Sequence, residues 1–404
     1  MPAEVEMPKR QEEAAMDHPD SGLWRGPAAA VPARAAVPVG LPDPLPRLAR
    51  ALGPGPFAQV FLFASPEADL AALAAAAPAV FGPARVCGCS TSGEITGRGY
   101  DSGQIVAFAL PAAGFEVEQL LIEPLDALDP RALISDLLRA RQALGRRAPD
   151  WPHEAAVLLI DGLSGQEDAL VAALSGGLGA VPVVGGSAGD GARFRTAPVF
   201  ARGQLRENAA VLTLIRSAWE LRPFCFAHQR PTARRMVVTR ADPSRRLVAR
   251  INDEPAAREY ARALGRLPEQ LTPFLFAAHP LLVRAGGRHH VRSIQQVEPD
   301  GGLTFFAAID EGLVLTLAEP VDMVAHLRAE MAGLCAGGRP SVILAFDCFF
   351  RRLEAEGRQL GREISELLMQ NGVWGLSTYG EQVGAMHVNQ TLTGLAFYPP
   401  EVRR

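Results

Sequence analysis

The chain predicts a mixed-sheet α/β fold built on repeated β-α-β units, on three observations. Short apolar runs with strand character alternate with Ala- and Leu-rich helical stretches. The strand–helix–strand pattern occurs three times, and each time the second strand runs into a Gly-x-Ser loop that ends in an acid. The composition, 48% hydrophobic and 21% charged over 404 residues, is that of a globular chain with room for about two to three domains.

Residues 1–54 are rich in Pro and Ala and show no period, which reads as a disordered tail. Residues 60–64 are an apolar run suited to a buried strand. Residues 67–77 are an Ala-rich helix closed by Pro78. Residues 85–87 form the next strand and enter the loop Gly88-Cys89-Ser90-Thr91-Ser92-Gly93-Glu94. Strands follow at 104–110 and 115–121. A helix over 130–144 starts on Pro130, where a missing N–H costs nothing.

The second unit has a strand at 155–160 ending in Asp161, a helix at 166–174, and a strand at 181–184. That strand enters Gly185-Gly186-Ser187-Ala188-Gly189-Asp190. Strands at 198–202, 209–215, 221–227 and 236–239 come next, then the turn signal Asp242-Pro243-Ser244. A helix at 254–264 ends at Gly265. The third unit has a strand at 342–346 ending in Asp347-Cys348, and one amphipathic helix over 353–369. A strand at 373–374 then enters Gly375-Leu376-Ser377-Thr378-Tyr379-Gly380-Glu381.

The first and third loops match in register. Ser90, Thr91, Gly93 and Glu94 correspond to Ser377, Thr378, Gly380 and Glu381, while the shorter middle loop keeps Ser187 and ends in Asp190. Turn chemistry alone explains part of this, because Gly supplies positive φ and Ser or Thr cap backbone groups. The functional reading is that the loops line one polar cleft beyond the strand ends, where open α/β sheets bind ligands. Asp161 and Asp347 read as equivalent strand ends, able to cap the next helix, bind a ligand amine or orient a histidine.

Several function classes are excluded or disfavoured. A net charge of −4 argues against general binding of nucleic acid. No run of about 18 apolar residues exists to cross a membrane. Lys9 is the sole lysine, so Schiff-base and P-loop lysine chemistry are absent. Five scattered cysteines and a polar N-terminus without an apolar h-region lead us to expect a cytoplasmic protein. Cys87-x-Cys89 places two thiols on one strand face, but metal and iron–sulfur sites favour Cys-x-x-Cys spacing, so buried apolar roles are expected. Cys348 with His387 as base is the one nucleophile pairing available to a cysteine-dependent enzyme. No protease or transferase signature accompanies it, and the expectation is a non-catalytic protein.

His228 follows Phe224-Cys225-Phe226 and precedes Arg230, Arg234 and Arg235. An aromatic wall, an imidazole and cations for propionates suit a haem axial ligand. The other reading is a histidine ending a strand. His289-His290 follow Gly286-Gly287 and read as a turn.

Residues 87–97, the strand before Asp161, the 185–190 loop and a C-terminal block together resemble the FIST family. That block comprises Phe346-Asp347-Cys348, Ser377-Thr378-Tyr379-Gly380-Glu381 and His387-Val388-Asn389-Gln390-Thr391. The resemblance spans about residues 55–400, and implies a FIST N-terminal domain over 55–245 and a FIST C-terminal domain over 246–400. It implies a sensory domain of signal transduction with a small ligand, amino acids among the suggested classes. The ligand-contacting residues it points to are Ser90, Thr91, Glu94, Asp161, Ser187, Asp190, Asp347, Cys348, Ser377, Thr378, Glu381, His387 and Asn389. Segments 224–232 and 346–354 are also similar to a stand-alone haem-binding, nitric-oxide-sensing subgroup that controls a separate histidine kinase. The resemblance therefore implies haem as cofactor and such a kinase as partner.

Overall fold

The computed structural model describes residues 31–285 and 287–400. The three repeats fold as three units of one topology. The first unit runs through strand Ala33–Pro38, helix Pro44–Leu52, strand Phe57–Ala64, helix Leu70–Phe81 and strand Arg85–Ser90. It then forms the hairpin Glu94–Thr96/Gly99–Asp101 and closes with strand Gln104–Pro111. The second repeats this order with strand Phe115–Ile122, helix Pro130–Arg147, strand His153–Ile160, helix Glu167–Leu178 and strand Val183–Ser187. Its hairpin is Val199–Ala201/Gln204–Arg206 and its closing strand Ala210–Ser217. The third has strand Glu220–Ala227, helix Met323–Cys335, strand Val342–Cys348, helices Phe349–Gly357 and Gly361–Gln370, and strand Val373–Thr378. Its hairpin is Glu381–Val383/Met386–Val388 and its closing strand Thr391–Tyr398.

Each unit gives its hairpin to another unit's sheet. Glu94–Thr96 pairs with Val373–Thr378 of the third unit. Glu381–Val383 pairs with Val183–Ser187 of the second, and Val199–Ala201 pairs with Arg85–Ser90 of the first. The exchange is therefore cyclic. All three six-stranded sheets have the same order: edge strand, closing strand, first strand, second strand, then the received hairpin. The first and second strands are parallel, as the helical crossover requires, and the closing strand is antiparallel to the first.

Strand alternation explains the layering. Val60, Leu62 and Ala64 pack under the first unit's helices, whereas Phe61 and Phe63 face a core shared by all three units. Leu158 and Ile160 face the second unit's helices, and Val157 and Leu159 the shared core. Ile343 and Ala345 face the third unit's helices, and Leu344 and Phe346 the shared core. Cys87 and Cys89 point into that core, fully buried, as expected for small apolar side chains.

Between Ala227 and Met323 the third unit carries an insertion, an eight-stranded sheet with helices Ala256–Leu264 and Pro273–Ala278. The boundary expected near residue 245 falls in its turn Pro243–Arg245, where none of the three repeated units ends.

Four expectations need correction. The part of the expected tail that is described is no tail: Ala33–Pro38 forms the edge strand and Pro44–Leu52 a helix that buries Leu45, Leu48 and Leu52. Residues 1–30 lie outside the described residues. Pro78 does not end its helix, which runs on to Phe81; within the last turn a missing N–H costs only one bond. The single helix expected over 353–369 is two, broken where Gln359 takes φ 60°. His289 and His290 lie on strand Arg288–Arg292, after the turn and not in it.

Candidate functional site

The three Gly-x-Ser loops meet. Ser92 N–H donates to Ser377 O at 2.9 Å, Tyr379 N–H to Ser187 O at 3.1 Å, and Gly189 N–H to Ser90 O at 3.4 Å. Ser377 N–H donates to Gly93 O at 2.7 Å and Ser187 N–H to Gly380 O at 2.8 Å. The loops thus close on one another in a ring instead of lining an open cleft. Ser90, Thr91, Glu94, Ser187, Ser377, Thr378 and Glu381 are at most 1% exposed. A Cβ on Gly380 would lie 2.3 Å from His387 Cε1, so the glycine lets the loop touch the imidazole. Gly93 has φ +126° and the guanidinium of Arg352 against its Cα.

The acids ending the first and third loops hold their own units together. The Thr91 hydroxyl donates to Glu94, whose other oxygen accepts from Gln104 N–H at 3.0 Å, at the start of the closing strand. Glu381 repeats this with the Thr378 hydroxyl at 2.7 Å, the Thr391 hydroxyl at 2.7 Å and Thr391 N–H at 3.2 Å. Burial pushes the Glu94 carboxyl up to about 7 and that of Glu381 up to about 8, against the pull of these donors. Asp190 serves differently. It accepts from the Tyr379 hydroxyl and from the N–H groups of Phe194, Arg195 and Thr196. Burial raises its pKa, but those donors outweigh it and hold the carboxyl below its ordinary value.

Asp161 and Asp347 are not equivalent. Register pairs Ile160 with Ser187 and Asp347 with Ser377, so Asp161 corresponds to Cys348, and Asp347 points to the opposite face. Asp161 accepts from Leu163 N–H at 2.9 Å and Asn208 N–H at 2.7 Å, on the wall of a cavity of about 390 Å³. Asp347 is fully buried with Arg351, whose Nη1 reaches its oxygens at 2.9 and 3.0 Å, and it accepts from the Tyr100 hydroxyl. Tyr100 belongs to the hairpin given by the first unit, so this pair couples two units.

Beside it lies a polar cluster that unites segments 224–232 and 346–354. His228 Nε2 lies 2.9 Å from Glu354 Oε2, and both side chains are 1% exposed. Gln229 Nε2 donates to Glu354 Oε2 at 3.2 Å and to Gln390 Oε1 at 3.1 Å. Three buried atoms of this cluster have no hydrogen-bond partner: His228 Nδ1, Gln229 Oε1 and Glu354 Oε1. Glu354 Oε1 has only the charge of Arg358 at 3.2 Å. Burial drives the His228 pKa down despite Glu354, which favours the neutral ring. Cys348 adjoins this cluster through the Gln390 N–H facing its sulfur, and burial lifts its thiol far above the ordinary range.

His387 and Asn389 pack against the third loop at Tyr379 and Gly380. His387 Nδ1 meets Gln382 Nε2 at 3.3 Å, and Gln382 also donates to the Ser187 hydroxyl at 2.9 Å. Asn389 bridges Ser293 N–H and Tyr379 O at 3.4 Å each, tying the insertion to the ring. The polar partner of His387 is thus Gln382, whereas the groups facing the Cys348 sulfur are the N–H groups of Gln390, Phe350 and Arg351.

A histidine with one ring nitrogen on a carboxylate and the other unpartnered is arranged as metal-ligating histidines are. The rest does not fit a porphyrin. Phe224 and Phe226 pack on each other, ring centres 4.7 Å apart and tilted by 33°, inside the third unit's core. Arg230 pairs with Glu319, Arg234 donates to Ala263 O, and the cations whose charge reaches His228 are Arg351 and Arg358. Of the arginines expected to converge on His228, Arg230 and Arg234 therefore point elsewhere. No group of three or more His, Cys, Asp or Glu suited to a metal ion occurs among the described residues.

Sequence reasoning missed Tyr100, Gln229, Arg351, Glu354, Gln382 and Gln390 as site residues. Arg351 was signalled by its i,i+4 spacing from Asp347. Tyr100 had no local signal.

Two family models match the chain, one described as the FIST N domain over residues 58–254 and one as the FIST C domain over residues 256–384. No curated protein matches it at a significant level.

Proposed function

Because the chain belongs to the FIST family, whose domains are sensory domains of signal transduction that bind small ligands, we propose that its ligand contacts the His228–Gln229–Glu354–Gln390 cluster. One observation carries this reading: two unpartnered buried polar atoms, His228 Nδ1 and Gln229 Oε1, sit on side chains that both touch Glu354, whose Oε1 has only the ion pair with Arg358. Orphaned buried groups cost about 1–3 kcal/mol each, so a cluster of them is a place where a polar partner is gained on binding. Two acceptors and a neutral imidazole suit a ligand that donates hydrogen bonds, such as the ammonium of an amino acid. The Cys348 thiol is buried and poorly ionised, which supports a sensor over a cysteine-dependent enzyme.

The output lies in a separate protein under this proposal, a histidine kinase being the candidate. The rival reading is haem-based sensing of nitric oxide, and the unpartnered His228 Nδ1 is the observation that favours it.

Thermal shift against a panel of amino acids, run beside a haem titration, tests both. A ligand at a hundred times its dissociation constant adds about 2.7 kcal/mol. The proposal expects a shift with an amino acid that Glu354→Gln abolishes. A saturable Soret band lost in His228→Ala would install the haem reading in its place. Neither a shift nor a Soret band would overturn both.

A further inference from the structure

The insertion carries a cavity of about 680 Å³ lined by Arg240, Asp242, Arg245, Leu247, Arg250 and Pro255, with Asp300 at its edge. Arg240 and Arg250 are cross-strand partners in the pairing of Gln229–Asp242 with Leu247–Ile251, between two shifts of register, and both line the hollow. Cross-strand partners share a face, and like charges placed directly opposite each other destabilise a sheet. Arg245, in the connecting turn Pro243–Arg245, brings a third guanidinium to the same hollow.

Among the described residues the triad is only partly offset, by the charge of Asp242 acting on Arg245. Among the described residues no carboxylate lies within ion-pairing distance of Arg240, Arg245 or Arg250. The nearby acids are committed to turns: Asp242 Oδ1 accepts from the N–H groups of Ser244 and Arg245 and from the Ser244 hydroxyl, and Asp300 Oδ1 from Gly302 N–H. Arg250 spends one Nη on Asp253 O at 2.6 Å and keeps its other donors. Three exposed arginines around one concavity, two of them on paired strands, supply the forked donors that grip phosphate oxygens. The rest of the lining, Ala241, Pro243, Leu247, Ala249 and Pro255, is apolar, and Asp300 supplies an acceptor for hydroxyl groups.

We propose that this hollow of the insertion binds a nucleoside diphosphate or triphosphate, its phosphates on Arg240, Arg245 and Arg250 and its nucleoside against the apolar wall. The site is separate from the His228 cluster, shares no residue with it, and stands or falls independently of the ligand proposed there.

Calorimetric titration of the full chain with ADP, and separately with inorganic pyrophosphate, is the test. We expect saturable ADP binding that weakens at least tenfold in the double variant Arg240→Ala/Arg250→Ala and weakens as salt rises. Pyrophosphate should bind less tightly than ADP, because it gains nothing from the apolar wall. The unliganded melting temperature checks folding, and removing two opposed charges should leave it unchanged or raise it. No heat with either ligand at millimolar concentration would overturn the proposal. So would ADP affinity unaltered in the folded double variant, or pyrophosphate binding as tightly as ADP.

Discussion

Replacing Glu381 by Gln should remove a pH dependence that the fold itself creates. Burial holds the Glu381 carboxyl at about 8, whereas a glutamate in an unfolded chain titrates near 4.3. Between these values the unfolded chain has lost its proton and the folded one keeps it. The stability contributed is fully present below about pH 4.3, falls as pH rises, and is lost by about pH 8. One group changes stability by about 1.4 kcal/mol per pH unit, so the interval from pH 5 to pH 8 amounts to about 4 kcal/mol. Glu94, held at about 7, adds a slope of the same sign. The buried rings of His228 and His387, whose pKa values burial lowers, add one of opposite sign as pH falls. These terms are common to both proteins and cancel in the difference. The amide oxygen of Gln can still accept from Thr391 N–H, and the Thr378 hydroxyl can turn to accept from the amide. Urea denaturation of both proteins from pH 5 to pH 9 reads the effect. The native chain's advantage over Glu381→Gln should shrink by roughly 4 kcal/mol across pH 5–8. Curves that stay parallel would mean the carboxyl is already ionised in its buried site, and the reasoning would fail.

Asp347→Asn leaves the buried Arg351 guanidinium without its counter-charge and should cost about 3–5 kcal/mol, measured by the same denaturation. A loss below about 1 kcal/mol would show that Tyr100 and water suffice. Cys348 should resist alkylation in the folded protein while exposed Cys225 reacts, as read by mass spectrometry of the labelled peptides. Equal labelling rates would restore the cysteine-nucleophile reading.

The repeat was legible because each unit announces itself locally, through an apolar strand, a helix and a Gly-x-Ser loop. The first strand and helix were not, because Pro44 and Pro46 look like breakers. They stand in the first turn of the helix, where proline is tolerated, and Leu45, Leu48 and Leu52 held the period. The convergence of the loops was legible from their register, but their closure was not. It depends on hairpins that leave one sheet for another, and such pairings are non-local. Asp161 and Asp347 align one residue out of step when each is taken as the first acid after an apolar run, for Asp161 follows its strand while Asp347 lies within strand Val342–Cys348. In a strand a one-residue offset reverses the face, and only the ladder decides it. His228 was found as a residue of interest through its aromatic neighbours. Its partner Glu354 lies 126 residues away, on a helix whose polar face looked ordinary.

The cyclic exchange of hairpins also governs how the chain can be made. A ribosome delivers it N-terminus first, at about 5–20 residues per second. The first sheet waits for strand Val199–Ala201, the second for Glu381–Val383, and the third for its own C-terminal strands although its received hairpin was made long before. The first sheet has all its strands once Arg206 is made, about half-way along the chain, whereas the second and third wait until the chain is nearly finished, and the second presents a bare edge in the meantime. Early termination by a stop codon near the C-terminus would leave the second sheet, more than 150 residues upstream, without its outer strands.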